Sequence, residues 1–411
     1  MSIIYRRPEL ARGIARQLLR PGVLDEGLRS GLFLSGLRRT GKTTFLRNDL
    51  IPALEEGGAL VIYVDLWSDT HENPAALVRQ AVRRTLAELQ KPGSRLLGRL
   101  ARVSGMEAGA FGFRFGFDLD SVGTDGGPTL ARALADLVDQ AHTDVVLIID
   151  EVQHAISTEE GNRTLLALKA ARDAINPRPG TAGHFIFIGT GSHRALVNEL
   201  TARRNQAFAG ATSVPYPVLG RDYVAHLLAR LSKEGAGEGG HPDTGAGEAK
   251  VRDAWPLPSL DVAADAFATL GYRPEELIKA LKLLRAKLPP NASADEHFPV
   301  IAATLRTAAV DIELTKVELL GGLATAVFER IAAVDGQVRG VFSAEAAAGY
   351  SRAIGRVVRV EEIQPVVNEL LAANLIMRRG HGLYGVTDPF VQQIWREKQA
   401  LSSDPLLLAE P

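Results

Sequence analysis

Short uninterrupted apolar runs alternate with longer amphipathic segments through the first half of the chain. The apolar runs have the length of strands and cover residues 31–35, 59–66, 144–151 and 184–189. Between them, apolar positions recur every three to four residues, as in helices, over residues 9–29, 74–90, 129–141 and 162–175. Continuous apolar strands separated by helices are typical of a parallel sheet that is covered on both faces. The pattern therefore predicts an α/β core with a parallel sheet.

A different pattern occupies residues 111–119, where Phe or Leu stands at every second position. A period of two is the signature of a strand. We therefore predict a β-hairpin inserted into the core at about residues 103–122. Its rings are expected to cover one face of the sheet, in preference to forming a platform for a ligand.

The second half of the chain is predominantly helical in pattern. Helical periodicity covers residues 220–232, 259–288, 315–334, 343–353 and 361–374. Two short apolar runs, 375–379 and 383–387, then flank the turn-forming Gly380-His381-Gly382. Three helices followed by a hairpin form the layout of a winged helix-turn-helix. Residues 232–250 are rich in Gly and Glu, which predicts a flexible insertion.

Composition narrows the class of protein. A chain of 411 residues is too long for one compact core, so two or three domains are expected. The net charge of −1 gives no overall basic field that would attract nucleic acid or a membrane surface. The chain has no cysteine, which excludes disulfides, thiolate metal sites and cysteine nucleophiles. No signal-peptide pattern and no run of about 20 apolar residues is present, so we expect a cytoplasmic protein without a membrane segment.

The first motif that carries chemistry lies between the first predicted strand and the helix after it. It fits G-x-x-x-x-G-K-[ST], the loop that wraps nucleotide phosphates in P-loop NTPases. Its nine residues are all expected to contact the nucleotide: Gly36, Leu37, Arg38, Arg39, Thr40, Gly41, Lys42, Thr43 and Thr44. The strand–loop–helix order directs backbone N–H groups and the helix N-terminus at one anion. Lys42 is predicted to neutralise the β and γ phosphates, and Thr43 to offer a hydroxyl to Mg²⁺.

Arg38 and Arg39 have unusually large side chains for positions inside this loop. They are candidates to touch phosphates, a neighbouring subunit or the next domain, and solvated arginines are an equal alternative. Gly36 and Gly41 are expected where a side chain would block the approach of the backbone to phosphate.

The second half of the predicted site is Asp150-Glu151, at the end of an apolar strand. We predict that Asp150 holds Mg²⁺ and that Glu151 is the general base that polarises the attacking water. Thr190 and Ser192 end the next strand, and either is a candidate to report the γ-phosphate. Of the two, we predict that Thr190 is the catalytic residue that contacts the γ-phosphate. The nine loop residues together with Asp150, Glu151 and Thr190 form the centre of the predicted active site.

A further candidate opens a helix in the second half of the chain. Arg273 and Pro274 are predicted to lie against the nucleotide, with Arg273 as a phosphate sensor. The alternative is a proline in the first turn of a helix, preceded by a solvated arginine.

The order of these motifs resembles the archaeal-type ATPase group of STAND and AAA+-related P-loop proteins. The resemblance rests on G-L-R-R-T-G-K-T-T, D-E-V-Q, G-T-G-S and a final Y-G-V-T-D-P-F-V, and it covers residues 5–397. It implies a P-loop core over 1–220, a helical lid over 221–310, a winged helix over 311–400 and a disordered tail over 401–411. It also implies ATP instead of GTP, because no N-K-x-D guanine signature is present.

One stretch departs from that family pattern. The family often has an arginine after the fourth strand that acts on a neighbour's nucleotide, and here residues 206–210 read Q-A-F-A-G. Arg203, Arg204 and Arg221 are the candidates to replace it.

The predicted winged helix gives a mixed signal for DNA. The expected recognition helix, residues 361–371, has no Lys or Arg, so a phosphate-lined groove would not attract it. Five arginines around it are candidates for backbone contacts: Arg352, Arg356, Arg359, Arg378 and Arg379. Docking of a protein, or autoinhibition, is the alternative use of this domain.

Taken together, the sequence predicts an ATP-binding, Mg²⁺-dependent ATPase that acts as a nucleotide-driven switch or assembly motor. The alternative is a nucleotide-gated DNA-binding or regulatory module with negligible turnover. Expected partners are ATP and ADP, a protein effector, double-stranded DNA and further copies of the chain. No membrane partner is expected.

Overall fold

The computed structural model describes eleven stretches of the chain. They are residues 4–22, 25–69, 72–104, 113–156, 158–192, 197, 200–201, 206–235, 255–334, 337–380 and 382–402. The chain divides into two compact units. The N-terminal unit consists of residues 6–38 and 42–217, and the C-terminal unit runs from Val218 onward and includes the short segments 1–5 and 39–41.

The N-terminal unit is built on a five-stranded, wholly parallel sheet. Its strands are β1 (Leu32–Ser35), β2 (Leu60–Asp65), β3 (Val145–Asp150), β4 (Phe185–Gly191) and β5 (Thr212–Pro215). They lie in the order β2-β3-β4-β1-β5, so β3 and β4 are interior strands and β1 has a partner on each side. The predicted α/β class and parallel sheet are confirmed.

Helices cover both faces of this sheet. They are α1 (Pro8–Leu19), α2 (Glu26–Arg29), α3 (Lys42–Phe45), α4 (Ile51–Glu56), α5 (Pro74–Gln90), α6 (Arg95–Ser104), α7 (Leu130–Ala141), α8 (Gln153–Ile156) and α9 (Glu159–Ile175). Val145, Leu147 and Ile149 of β3 pack with α5 to α9, while Val146 and Ile148 pack with α1 to α4. A strand buried on both faces needs an apolar residue at every position, which explains the uninterrupted run in the sequence.

The predicted hairpin at residues 103–122 is not present in its described part. Residues 113–118 form no strand, and Leu119–Ser121 is a single 3₁₀ turn. Residues 105–112 lie outside the described residues. Phe113 and Phe115 are buried in the core of the N-terminal unit, so their alternation reflects burial of rings without a paired strand. The backbone of Arg114 instead exchanges two hydrogen bonds with the side chain of Gln140, at 2.9 and 3.0 Å.

Strand β5 and helix α6 of the N-terminal unit had no counterpart among the predictions, and neither did the single turn α8. Strand β5 is only four residues long, lies at the edge of the sheet and ends in Pro215, so its sequence carries little strand signal. Helix α6 places Leu97 and Leu100, three residues apart, against the core. These elements are short, and their positions depend on the tertiary partners that they meet.

The C-terminal unit contains eight further helices that the structure describes, and a small antiparallel sheet in the order β6-β8-β7. Its elements are α10 (Arg221–Gly235), α11 (Leu260–Thr269), α12 (Pro274–Lys287), α13 (Ala294–Leu319), α14 (Gly322–Ala333), β6 (Val338–Arg339), α15 (Ala344–Ile354), α16 (Val360–Ala372), β7 (Ile376–Gly380), β8 (Leu383–Val386) and α17 (Pro389–Ser402).

Helix α13 crosses the predicted domain boundary at residue 311. Phe298 and Leu305 belong to one core, with α10 to α12, and Val310 and Val317 belong to a second core, with α14 to α17. One helix therefore contributes to two cores, and residue 311 lies inside that helix. The predicted helix 315–334 is also interrupted, because Gly321 has φ +95° and separates α13 from α14.

Two predicted irregular segments fall mostly outside the described residues. Of the insertion 232–250, residues 232–235 belong to α10 and the rest is not described. Of the tail 401–411, the first two residues end α17 and the rest is not described. Among the described residues, no helix has the length and apolarity that a membrane crossing requires.

Gly189 of β4 is a sensitive position in the core of the N-terminal unit. A Cβ atom added there would lie 2.6 Å from the ring of Phe33, which packs against Phe187 and Phe208 and is fully buried. We expect Gly189→Ala to lower the free energy of unfolding by about 1–3 kcal/mol through overpacking. As a control, Gly98→Ala in α6 meets no atom within 4 Å and is expected to gain about 0.5–1 kcal/mol. Urea unfolding measures both, and equal effects would contradict the packing argument.

Candidate active site

The loop of residues 36–44 connects β1 to α3 at the carboxyl edge of the sheet. The N–H of Gly36 donates to the carbonyl of Gly191 over 3.1 Å, which fixes the start of the loop to β4. Arg39 and Gly41 have φ values of +64° and +92°, so the loop turns sharply just before α3. A Cβ at Gly36 would lie 3.2 Å from Cβ of Tyr216, which explains the need for glycine there.

Lys42 lies inside this loop with 6% of its surface exposed. Its Nζ donates to the carbonyl oxygens of Gly36 and Leu37, at 2.8 and 2.7 Å. The loop thus holds the ammonium group in its own concavity, next to the N-terminus of α3. A cation in that position is placed for a phosphate bound by the loop.

Asp150, at the end of β3, is 1% exposed and accepts hydrogen bonds from three hydroxyl groups. Thr43 and Tyr63 donate to Oδ2, at 2.7 and 3.1 Å, and Thr190 donates to Oδ1. Three of these four residues, Thr43, Asp150 and Thr190, were predicted for the site, and the structure brings them together. The Thr43 hydroxyl and the Asp150 carboxylate, which are hydrogen-bonded to each other, are hard oxygen ligands of the kind that Mg²⁺ prefers.

Tyr63 was missed by sequence reasoning. It lies on β2, opposite Ile148 of β3 and two residues before Asp65, which pairs with Asp150. Burial, followed by the nearby charge of Asp150, raises the pKa of Tyr63, so its hydroxyl stays protonated and can donate. The only signal in the sequence was a polar ring in an otherwise aliphatic strand.

Glu151 has φ +58°, an uncommon backbone conformation for a residue other than glycine. Its carboxylate accepts hydrogen bonds from the N–H and the hydroxyl of Ser192, at 3.2 and 2.9 Å, and from the amide of Gln153. Thr190 and Ser192 therefore have different partners: Thr190 binds Asp150, and Ser192 binds Glu151. Gln153 was not among the predicted residues.

Arg38 of the loop contacts Ser192 and Trp67 at the same edge of the sheet. Its Nε donates to the Ser192 hydroxyl over 3.4 Å, and its guanidinium lies 4.4 Å from the centre of the Trp67 ring. Trp67 in turn contacts His154, with the ring centres 5.3 Å apart. Burial lowers the pKa of His154, and the charge of Arg38 adds to this effect against an opposing contribution from Glu151. Arg38 makes both contacts while it remains exposed, and Trp67 is a second residue that sequence reasoning missed.

The predicted sensor Arg273 precedes α12, and Pro274 occupies the first turn of that helix. Arg273 donates to the carboxylate of Asp388 over 2.7 Å, and its guanidinium lies 5.5 Å from the ring centre of Phe390. Less than one-fifth of either charged side chain is exposed. The contact of Arg273 with a nucleotide remains a prediction.

The candidates to replace the family's trans-acting arginine are only partly described. Arg221 forms an exposed ion pair with Asp261, at 2.5 Å. Arg203 and Arg204 lie outside the described residues.

The five candidate arginines for DNA differ in their surroundings. Arg352 and Arg359 are exposed, whereas Arg378 is half-buried on β7. Arg356 pairs with Glu362 over 2.8 Å. The Glu362 carboxylate also caps α16 by accepting from the N–H of Arg359, and this bond, together with Arg356, lowers its pKa. The side chain of Arg379 lies outside the described residues.

Comparisons with known proteins agree with the architecture of the N-terminal unit. Residues 26–197 match a family model described as an AAA domain. The match spans β1 to β4 and includes the loop of residues 36–44. No curated protein matches the chain.

Among solved structures, the chain resembles the Walker-type ATPase of Pyrococcus abyssi. The TM-score is 0.52 at 16% identity, over 96% of this chain and 99% of that one. The ORC2 protein of Aeropyrum pernix, solved in ADPNP–ADP complexes, gives a TM-score of 0.48 at 13% identity, over 97% and 98%. At such identity the first match supports the fold alone.

The Arg273–Asp388 ion pair is expected to stabilise the C-terminal unit. We expect Asp388→Asn to lower its free energy of unfolding by about 1–3 kcal/mol, because a charged hydrogen bond with little solvent exposure is lost. The matched control is Glu313→Gln, whose pair with Lys316 is more exposed and contributes about 0.5 kcal/mol or less. Urea unfolding followed by Trp fluorescence measures the difference. Equal losses in the two variants would show that the pair is of no special importance.

Proposed function

We propose that the protein is an ATP-binding, Mg²⁺-dependent P-loop ATPase. The observation that carries this proposal is the convergence of Lys42, Thr43, Asp150 and Thr190 at the carboxyl edge of an AAA-class sheet, with Glu151 beside them. These groups come from the loop after β1 and from the ends of β3 and β4. Each has the chemistry that phosphoryl transfer to water requires.

The roles follow from the charges and donors of the site. Lys42 and the N–H groups of the loop would bind the β and γ phosphates. The Thr43 hydroxyl and the Asp150 carboxylate would hold Mg²⁺, which neutralises charge that develops on the phosphates. Thr190 holds Asp150 in place from β4. Glu151 would take a proton from the attacking water once its carboxylate exchanges the Ser192 hydroxyl for that water.

The nucleotide state would act on the C-terminal unit as a switch or an assembly motor. Its last elements follow the order helix, strand, helix, helix, hairpin and a closing helix, and the part up to the hairpin supports a winged-helix domain of the STAND-related type. The acidic exposed face of α16, with Glu361 and Glu369, favours a protein effector or a further copy of the chain over DNA bases. We propose a cytoplasmic location for this activity.

A second candidate is a nucleotide-gated regulatory or DNA-binding module with negligible turnover. It is favoured by one observation: the Glu151 carboxylate is occupied by three hydrogen bonds, from Ser192 and Gln153. A base that is held in this way is not available to water.

The variant Glu151→Gln separates the two candidates. If Glu151 is the base, this variant binds a fluorescent ATP analogue as well as the wild type does, and its phosphate release falls by about 10²–10⁴-fold. The matched control Glu159→Gln changes an exposed carboxylate of α9 and should release phosphate at the wild-type rate. Wild-type release no faster than that of Glu151→Gln would reject the enzyme and leave the regulatory module.

The DNA arm of the second candidate is tested by binding to duplex DNA across a salt series, with and without ATP. Phosphate contacts require that the affinity falls as salt rises, with a slope that decreases by about 0.9 for each contact removed. Arg359→Ala should show that decrease, and Arg163→Ala, an exposed arginine of α9, should not. Absent or salt-independent binding would remove DNA as a partner.

A further inference from the structure

Tyr63 connects Asp150 of the candidate site to Arg47, which has no role in the proposed chemistry. Its hydroxyl lies between two charged side chains: Nε of Arg47 is 3.2 Å from the hydroxyl oxygen, and Oδ2 of Asp150 is 3.1 Å away on the other side. All three residues belong to the N-terminal unit. They form a continuous path from an arginine at the surface to a buried carboxylate.

The direction of this path is fixed by the donors. A guanidinium group has only N–H donors, so the Tyr63 oxygen must accept from Arg47. A phenol has a single proton, and a carboxylate can only accept, so that proton is donated to Asp150. Donation from a cation polarises the hydroxyl and strengthens the bond that it makes in turn.

Arg47 is itself held in place by two contacts. Its terminal nitrogen pairs with Asp65 over 3.0 Å, and its guanidinium lies 5.0 Å from the centre of the Tyr63 ring. It belongs to the π-helical turn Leu46–Leu50, which continues α3. Such turns shift the side chains of a helix relative to a regular α-helix and occur often at functional sites. Asp65 and Asp150 occupy paired positions on β2 and β3, so Arg47 also places a positive charge near two neighbouring carboxylates.

We propose that Tyr63, held by Arg47, is a positioning residue that orients the Asp150 carboxylate for Mg²⁺. The inference rests on the proposed function of Asp150. Thr43 and Tyr63 share Oδ2, and Thr43 is the hydroxyl that would turn towards the metal. When Thr43 leaves, Tyr63 is the donor that still fixes Oδ2, while Thr190 fixes Oδ1. Groups that orient a ligand in this way typically contribute about 10–100-fold to metal affinity.

The test is Tyr63→Phe in the full chain, which removes one oxygen and keeps the ring. The readout is the Mg²⁺ concentration that gives half of the metal-dependent gain in affinity for a fluorescent ATP analogue. We expect this concentration to rise about tenfold or more, with affinity in EDTA unchanged. The matched control is Tyr350→Phe, a buried tyrosine of the C-terminal unit whose hydroxyl donates to the carbonyl of Val341 over 3.2 Å. It loses a comparable hydrogen bond and should leave the Mg²⁺ dependence as in the wild type.

A second variant covers the case in which Tyr63→Phe does not fold. Arg47 is half exposed, and Arg47→Met keeps much of its apolar stem while it removes every donor. It should shift the Mg²⁺ dependence in the same direction by a smaller factor. An unchanged dependence in a folded Tyr63→Phe or, failing that, in Arg47→Met overturns the inference.

The binding readout separates this inference from the proposed function. A wild type that binds nucleotide more tightly with Mg²⁺ but releases no phosphate would reject the ATPase and still test Tyr63. A wild type whose affinity gains nothing from Mg²⁺ would reject both.

Discussion

The site depends on keeping one ionised carboxylate buried. Asp150 ends a strand that is covered on both faces, and it is 1% exposed, so it cannot be solvated by bulk water. Its charge is instead stabilised by hydroxyl groups from three separate elements: the start of α3, β2 and β4. Each hydrogen bond to a charged group contributes about 1.5–3 kcal/mol, and each requires its element to lie at a fixed position. The constraint on Asp150 therefore also sets the relative position of the P-loop and the central strands.

The strands that a continuous apolar run specifies were predictable from the sequence, and so were the polar residues at the ends of those strands. The strand before the loop, β2, β3 and β4 were found within one or two residues because each is continuously apolar. Asp150 and Thr190 follow from that result, since the carboxyl ends of parallel strands meet at one edge of a sheet. Tyr63, Gln153 and Trp67 were not predictable in this way. Their importance depends on which strand lies beside which, and the order β2-β3-β4-β1-β5 is not encoded in any single segment.

The same distinction between local sequence and long-range packing applies to three other predictions. Alternating phenylalanines at residues 113–117 have the period of a strand, but the rings are buried by the surrounding helices without a partner strand. The predicted domain boundary at residue 311 falls within a 26-residue helix that contributes apolar residues to two cores, and a change of composition along the chain does not reveal such a shared helix. The sensor role of Arg273 stays a prediction, and its described partner, Asp388, lies more than a hundred residues later in the chain. Long-range pairing of this kind leaves no local pattern.

The two acids of the site differ in how they are held. The donors of Asp150 come from three elements, and two of them, Tyr63 and Thr190, belong to the sheet itself. Glu151 is held by Ser192, which follows β4, and by Gln153, two residues along the chain, on a backbone with φ +58°. After the Thr43 hydroxyl turns towards the metal, Tyr63 and Thr190 would still hold Asp150, whereas a turn of the Glu151 side chain alone would release it from Ser192 and Gln153. Under the proposed chemistry, the metal ligand is therefore the fixed part of the site and the base the adjustable part. Turnover would then be controlled through Ser192, which also contacts Arg38 of the P-loop.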